Sequence, residues 1–233
     1  MTFSVIQASD VRSERTTTGA YVRTLLPSDG TCLGRRLVDV PPGSQFSGNS
    51  GAAGELLFVI GGSGDLDGVP VSPDHGIWIP PGRRYLMHSS GDLSLDVVSL
   101  PGTTTGAGSG APQVSEGSGA PQVRDLRDCA VESTGNRQFR VLFGPSTGCA
   151  VATQFVGHIP PGRAPDHRHP YDEVVLVLSG HGVVHVDGSE HAISAGTCTH
   201  LRPGQPHCLE NTGQTAIRVL GVFHPADSPA TKT

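Results

Sequence analysis

Two stretches of the chain carry one pattern of turn and strand signals. Pro41-Pro42-Gly43 recurs as Pro160-Pro161-Gly162, and the run ELLFVIGG at 55–62 recurs as EVVLVLSG at 173–180, with the same seven-residue step from Glu to Gly. Ile79-Pro80-Pro81-Gly82 recurs as Leu201-Arg202-Pro203-Gly204, and Gly91 follows Gly82 at the spacing by which Gly213 follows Gly204. A repeat of this length implies two tandem copies of one architecture. Each apolar run is short enough for a strand and is closed by Gly or Pro, residues that demand turns or remove ladder donors. With 32 Gly, 19 Pro and 5% aromatics in 233 residues, and no long segment of 3.6-residue period, the pattern is all-β.

The boundaries follow from composition. Residues 1–100 hold the first copy, with strands expected at 21–26 and 55–61. Residues 101–123 are rich in Gly, Ser and Pro and contain GSGAPQV twice, at 108–114 and 117–123, which reads as a flexible linker. Residues 124–233 hold the second copy, with opening strands expected at 137–143 and 149–159 and a frayed tail from Ala226.

Charge and residue usage exclude several functions. The net charge of −5 with interspersed signs points to neither nucleic acid nor an anionic membrane surface. Lys232 is the only lysine, which removes Schiff-base chemistry and a P-loop. No stretch approaches membrane-spanning length and the first residues hold no apolar signal core, so a cytoplasmic protein is expected. The five cysteines form no CxxC pair; Cys198 and Cys208 flank one turn and could pair, but small core filler is the plainer reading.

The second copy carries chemistry that the first lacks. His167, His169 and Glu173 fall within seven residues, and His207 follows the turn at 202–206. Imidazole and carboxylate are the donors that first-row divalent metals select. On a strand, His167 and His169 point to one face about 6.7 Å apart, within reach of one ion. A straight strand would carry Glu173 roughly 20 Å away, so the chain must turn at Pro170. Two hairpins facing each other could then bring four ligands to one point. In the first copy only Glu55 survives. Phe46-Ser47-Gly48-Asn49 replaces the histidine pair, Tyr85 replaces His207, and His75 and His88 lie off the ligand positions.

Gly162, His167, His169, Glu173 and Gly180 resemble the first motif of the cupin superfamily, with four residues instead of five after the first Gly. Gly196, Gly204, His207 and Asn211 resemble the second, with Arg202 where that family usually has Pro. The resemblance implies two double-stranded β-helix (cupin or jelly-roll) barrels, a bicupin. It also implies one divalent transition metal per chain held by His167, His169, Glu173 and His207, with Fe expected and Mn, Ni, Zn or Co as alternatives.

By strand parity, Val175 and Val177 face inward with Glu173, and Leu209 and Asn211 with His207. The pocket wall is therefore expected to be apolar, with Tyr171 a further pocket residue and His200 a support for a ligand. His181, His185 and His191 read as solvated.

Cupins with this ligand set include Fe(II) dioxygenases, other metal-dependent enzymes and binding proteins. The leading expectation is an Fe(II) dioxygenase or other oxygenase acting on a small organic substrate. Non-oxidative isomerase, cyclase or hydrolase chemistry, as in the architecturally similar ureidoglycine aminohydrolases, is a second. A non-catalytic small-molecule-binding cupin is a third. A homodimer is compatible with all three.

Overall fold

The computed structural model describes residues 3–102 and 119–231. Among them there is no α-helix, and no helix long and apolar enough to cross a membrane. The chain opens with strands β1 (Ser4–Gln7), β2 (Glu14–Arg15), β3 (Tyr21–Leu26), β4 (Gly34–Val40), β5 (Gln45–Asn49) and β6 (Glu55–Gly61). It continues with β7 (Gly64–Leu66), β8 (Val69–Val71), β9 (His75–Ile79), β10 (Arg84–Ser89), β11 (Leu93–Ser99) and β12 (Gln122–Asp125). The second copy supplies β13 (Glu132–Thr134), β14 (Arg137–Phe143), β15 (Thr153–Ile159), β16 (Gly162–Arg163) and β17 (Asp172–Ser179). It closes with β18 (His181–Val186), β19 (Ser189–Ser194), β20 (Thr197–Leu201), β21 (His207–Asn211) and β22 (Ile217–His224).

Two compact units result, residues 12–125 and residues 1–11 with 126–233. Each has a seven-stranded and a four-stranded sheet, and the strand orders match position for position. In the first unit they are β12-β9-β6-β11-β4-β3-β2 and β5-β10-β7-β8; in the second, β1-β20-β17-β22-β15-β14-β13 and β16-β21-β18-β19. The duplication read from the turns is thus a duplication of topology.

The edges differ from the expected boundaries at 100 and 124. Strand β1, from the start of the chain, completes the second unit by pairing Ser4–Gln7 with β20. Strand β12 completes the first by pairing with β9, so Gln122 and Val123 are strand and not linker. Most of the linker, 103–118, with the first GSGAPQV copy, lies outside the described residues. An edge strand contributes hydrogen bonds along one side only, so its short sequence gives little hint of which sheet it joins.

Alternation along these strands builds the cores. Leu57, Val59, Ile77, Ile79, Leu95 and Val97 are fully buried in the first barrel; Val175, Val177, Val184, Leu201, Ile217 and Val219 form the equivalent interior of the second. Full burial of each such side chain contributes about 1.5–3 kcal/mol. The glycine closing each repeated run has a steric cause. Gly62 and Gly180 adopt φ of +82° and +89°, and a Cβ would stand 1.3 Å from the Asp92 carbonyl oxygen or 2.9 Å from Ile217 Cα. All five cysteines are free thiols, with Cys198 and Cys208 buried.

Candidate metal centre

The two turn signals of the second copy bring the histidines together. Residues 164–169 run in irregular extended chain, meeting β21 at an antiparallel bridge between His167 and His207 and through Ala164 N–H to the Leu209 carbonyl. The two residues exchange both backbone hydrogen bonds at 3.0 Å, and Gly204 N–H donates to the His169 carbonyl at 2.7 Å. The chain then bends at Pro170 and Tyr171 and enters β17, where Glu173 pairs with Leu201 and Phe223. The turn expected between His169 and Glu173 is therefore present.

One donor atom from each of His167, His169 and His207 lies within 4.8 Å of the others. Glu173 Oε2 stands 3.8 Å from His169 Nε2. His169, Glu173 and His207 are buried, and His167 is partly so.

Backbone carbonyls fix the imidazoles. His167 Nδ1 is 3.1 Å from the Pro165 carbonyl oxygen, His207 Nδ1 2.8 Å from that of Gln205, and His169 Nδ1 2.8 Å from that of Thr231. A carbonyl oxygen only accepts, so each Nδ1 carries a proton, and Nε2 is the nitrogen left to meet an ion when the ring is neutral. Burial, reinforced by neighbouring His207, pushes the His167 pKa down to about 4, and burial lowers that of His207. Both rings are consequently neutral at pH 7, the state in which imidazole ligates. Three imidazoles with Nδ1 turned to a carbonyl, beside a buried carboxylate, suit a divalent transition metal in donor type and proximity.

These residues open into a small cleft with a cavity volume of about 80 Å³. Its wall contains Val175, Leu201, Leu209, Val219, Phe139 and Phe155, with Arg137 and His158 as polar members. Of the pocket residues expected from sequence, Val175 and Leu209 line it.

Tyr171, Val177 and His200 do not. Tyr171 lies under the site, its ring stacked between His169 at 4.6 Å and Phe223 at 4.0 Å, and burial followed by the Glu173 charge raises its phenol pKa. Val177 is one strand repeat deeper, within the apolar core. His200 alternates with Leu201 to the opposite face of the sheet, where its Nε2 meets Asp172 Oδ1 at 2.8 Å. Asn211 is buried as a brace, donating to the carbonyls of Ile159 and Thr215. His185, expected to be solvated, is buried between Glu210 at 2.8 Å and Glu190 at 3.4 Å.

Two features escaped the sequence reading. Arg137 sits in the cleft wall and donates from Nη2 to the Leu209 carbonyl at 3.2 Å. Burial lowers its pKa while the charges of Cys208 and Glu173 oppose that fall, and an arginine stays cationic through such a shift. The tail from Ala226, expected to fray, folds back on the site as far as Thr231: Pro229 lines the cleft and Thr231 reaches His169.

In the first barrel the equivalent carboxylate, Glu55, is held by protein donors, beside a pocket lined by Arg36, Asn49 and Ser99. Tyr85 hydroxyl donates to Glu55 Oε2 at 2.7 Å, and Arg36 Nη2 and Ser99 Oγ donate to Glu55 Oε1 at 2.6 and 2.8 Å. Tyr85 pairs with Gly48, where an added Cβ would lie 2.0 Å from the tyrosine ring. No imidazole takes part.

Comparison with known proteins agrees with this geometry. Residues 155–223 match the cupin domain model. The oxalate-binding protein of Thermotoga maritima is 36% identical over 67 residues, 28% of this chain and 55% of that protein. The tetracenomycin polyketide synthase protein TcmJ of Streptomyces glaucescens is 32% identical over 90 residues, 37% of this chain and 60% of that protein. The matches thus span little more than half the length of these relatives. Oxalate decarboxylase of Bacillus subtilis, a protein with Mn(II) centres, superposes with a TM-score of 0.74 at 14% identity, covering 96% of this chain and 78% of its own. Residues 155–223 of the second barrel are a cupin domain, the first barrel repeats its topology, and together they form the two-barrel architecture of the bicupins.

Proposed function

We propose that the second barrel holds one divalent metal ion through His167, His169, Glu173 and His207, and that the cleft beside it binds a small carboxylic acid of the oxalate class. The carrying observation is the juxtaposition of Arg137 with three carbonyl-oriented imidazoles in one cleft whose wall also holds Val175, Leu201, Leu209 and Val219. A guanidinium offers a planar fork that matches a carboxylate, and it cannot be deprotonated at physiological pH. The apolar wall excludes bulk water and strengthens that attraction. Similarity to an oxalate-binding protein, and the fold shared with a Mn(II) oxalate decarboxylase, favour the same ligand class.

When bound, the ion would supply Lewis-acid polarisation of a ligand oxygen. The chain's own residues would do the rest. Arg137 would fix the carboxylate, Val175, Leu201 and Leu209 would limit its size, and the three Nδ1–H groups tied to carbonyls would keep the rings from turning away. Four protein donors leave coordination positions open in a five- or six-coordinate ion. We assign Mn(II) or Fe(II), since the donor set accepts both. The oxygenase reading needs iron and oxygen uptake, and the lyase or binding readings need neither.

Titrating the metal-loaded protein with oxalate by calorimetry tests this reading. Arg137→Gln should weaken oxalate binding by about 10- to 100-fold, the worth of a charge-assisted pair, with metal content unchanged. Equal affinities in the two proteins would remove the carboxylate from the proposal.

A further inference from the structure

Resting on that metal reading, we infer that residues 225–231 form a strap over the cleft that holds His169 in its ligating orientation and gates access to the ion. His167 and His207 each take their carbonyl partner from two residues earlier in the chain, so their orientation is local. His169 takes its partner from Thr231, 62 residues away. Its tautomer and ring angle therefore depend on a segment that can leave.

The strap is built to hold a shape with few attachments. Ala226 N–H donates to the Val151 carbonyl at 3.0 Å. Thr153 Oγ1 donates to the Asp227 carbonyl at 2.9 Å and receives the Asp227 N–H at 3.3 Å. Asp227 Oδ1 then accepts from Ser228 N–H at 2.7 Å and from Thr231 Oγ1 at 2.8 Å, while Thr231 N–H donates to the Ser228 carbonyl at 2.9 Å. This closed turn lays Pro229 into the cleft wall and aims the Thr231 carbonyl at His169. Tyr171, stacked under His169, has its hydroxyl 3.5 Å from the Ser228 carbonyl.

Asp227, Ser228 and Ala230 are exposed, and no residue of the segment is fully buried. A segment with few buried apolar groups and a handful of anchors opens at a small fraction of the global unfolding cost. Opening would uncover the Pro229 side of the cleft and free the His169 ring at the same moment. Entry of the acid and loosening of one ligand are thereby coupled through Thr231, a positioning residue acting by its carbonyl.

The experiment uses Co(II), whose visible spectrum reports its donor set, with the full chain, a deletion of 226–231, and Asp227→Ala, which keeps the chain length but unbraces the turn. Co(II) affinity should fall about 10- to 100-fold in the deletion, as for loss of a ligand's hydrogen-bond partner. Release to excess EDTA should quicken at least tenfold, with an altered spectrum, and Asp227→Ala should fall between the two. Reciprocally, Co(II) should slow hydrogen exchange at the Ala226, Asp227 and Thr231 amides of the wild type. Affinity, release rate and spectrum all unchanged in both variants would overturn the strap while leaving the metal site standing. No Co(II) binding by the wild type, matching His207→Ala, would overturn both.

Discussion

The two barrels share a strand order but handle one buried carboxylate in opposite ways. Val40 and Ile159 each precede the Pro-Pro-Gly turn, and pairing from them aligns the interiors. Where the first barrel has Tyr85 and Gly48, the second has His207 and His167. Arg36 aligns with Phe155, Val38 with Gly157, and Ala20, just before β3, with Arg137. In the first barrel a guanidinium, a phenol and a serine hydroxyl neutralise and hydrogen-bond Glu55, and Val38 fills the interior. In the second, Glu173 keeps imidazole neighbours, and Gly157 leaves room for the cleft. A buried carboxylate needs compensation, and two kinds of partner would serve: a protein cation in the first barrel, and the proposed metal ion in the second.

The sharpest way to break this equivalence is at the paired glycines. Gly62→Ala drives a Cβ into the Asp92 carbonyl, whereas Gly180→Ala meets Ile217 at 2.9 Å, and both carry positive-φ strain. Gly62→Ala should destabilise the first barrel by about 4 kcal/mol or more, and Gly180→Ala the second by roughly half as much. Trp78, the chain's only tryptophan, lies buried in the first barrel. Urea unfolding followed by its fluorescence should therefore show the Gly62→Ala loss. Equal midpoints for the two variants by this probe would undo the steric explanation.

Tyr85→Phe removes one donor from buried Glu55 and should cost about 1–3 kcal/mol in the Trp78-monitored transition, with metal content untouched. A loss of metal in this variant would show the first barrel to be part of the site.

A pH dependence is expected as well. The His167 pKa falls from its ordinary value to about 4 on folding, so the unfolded chain binds the extra proton between about 6.5 and 4. The stabilising preference for neutral His167 is complete above pH 6.5 and is lost as pH falls towards 4. Without metal, the second barrel should lose stability across that window, and His167→Asn should flatten the slope. A steeper slope in the variant would reverse the sign assigned here.

The sequence made legible those features that rest on local chemistry. Strand β21 begins at His207 because the turn before it ends there, and β17 follows the bend forced at Pro170. The four proposed ligands were readable for the same reason. Arg137 was not, because it hydrogen-bonds the Leu209 carbonyl and feels the Glu173 charge across the fold, and such long-range pairing leaves no mark near residue 137. Tyr171 looked like a pocket residue by position, but stacking between His169 and Phe223 takes its ring out of the cleft. Residues 225–231 have the small polar composition of a frayed tail, yet most of their anchors use backbone groups, which every sequence has.

Metal stoichiometry tests most directly whether the barrels compensate their carboxylates differently. Elemental analysis of protein loaded with Mn(II) and then desalted should find one ion per chain in the wild type and in Glu55→Gln. It should find far less than one in Glu173→Gln. Two ions per chain in the wild type, or equal loss in both variants, would contradict the division between a barrel that pairs its carboxylate with a protein cation and one that pairs it with a metal.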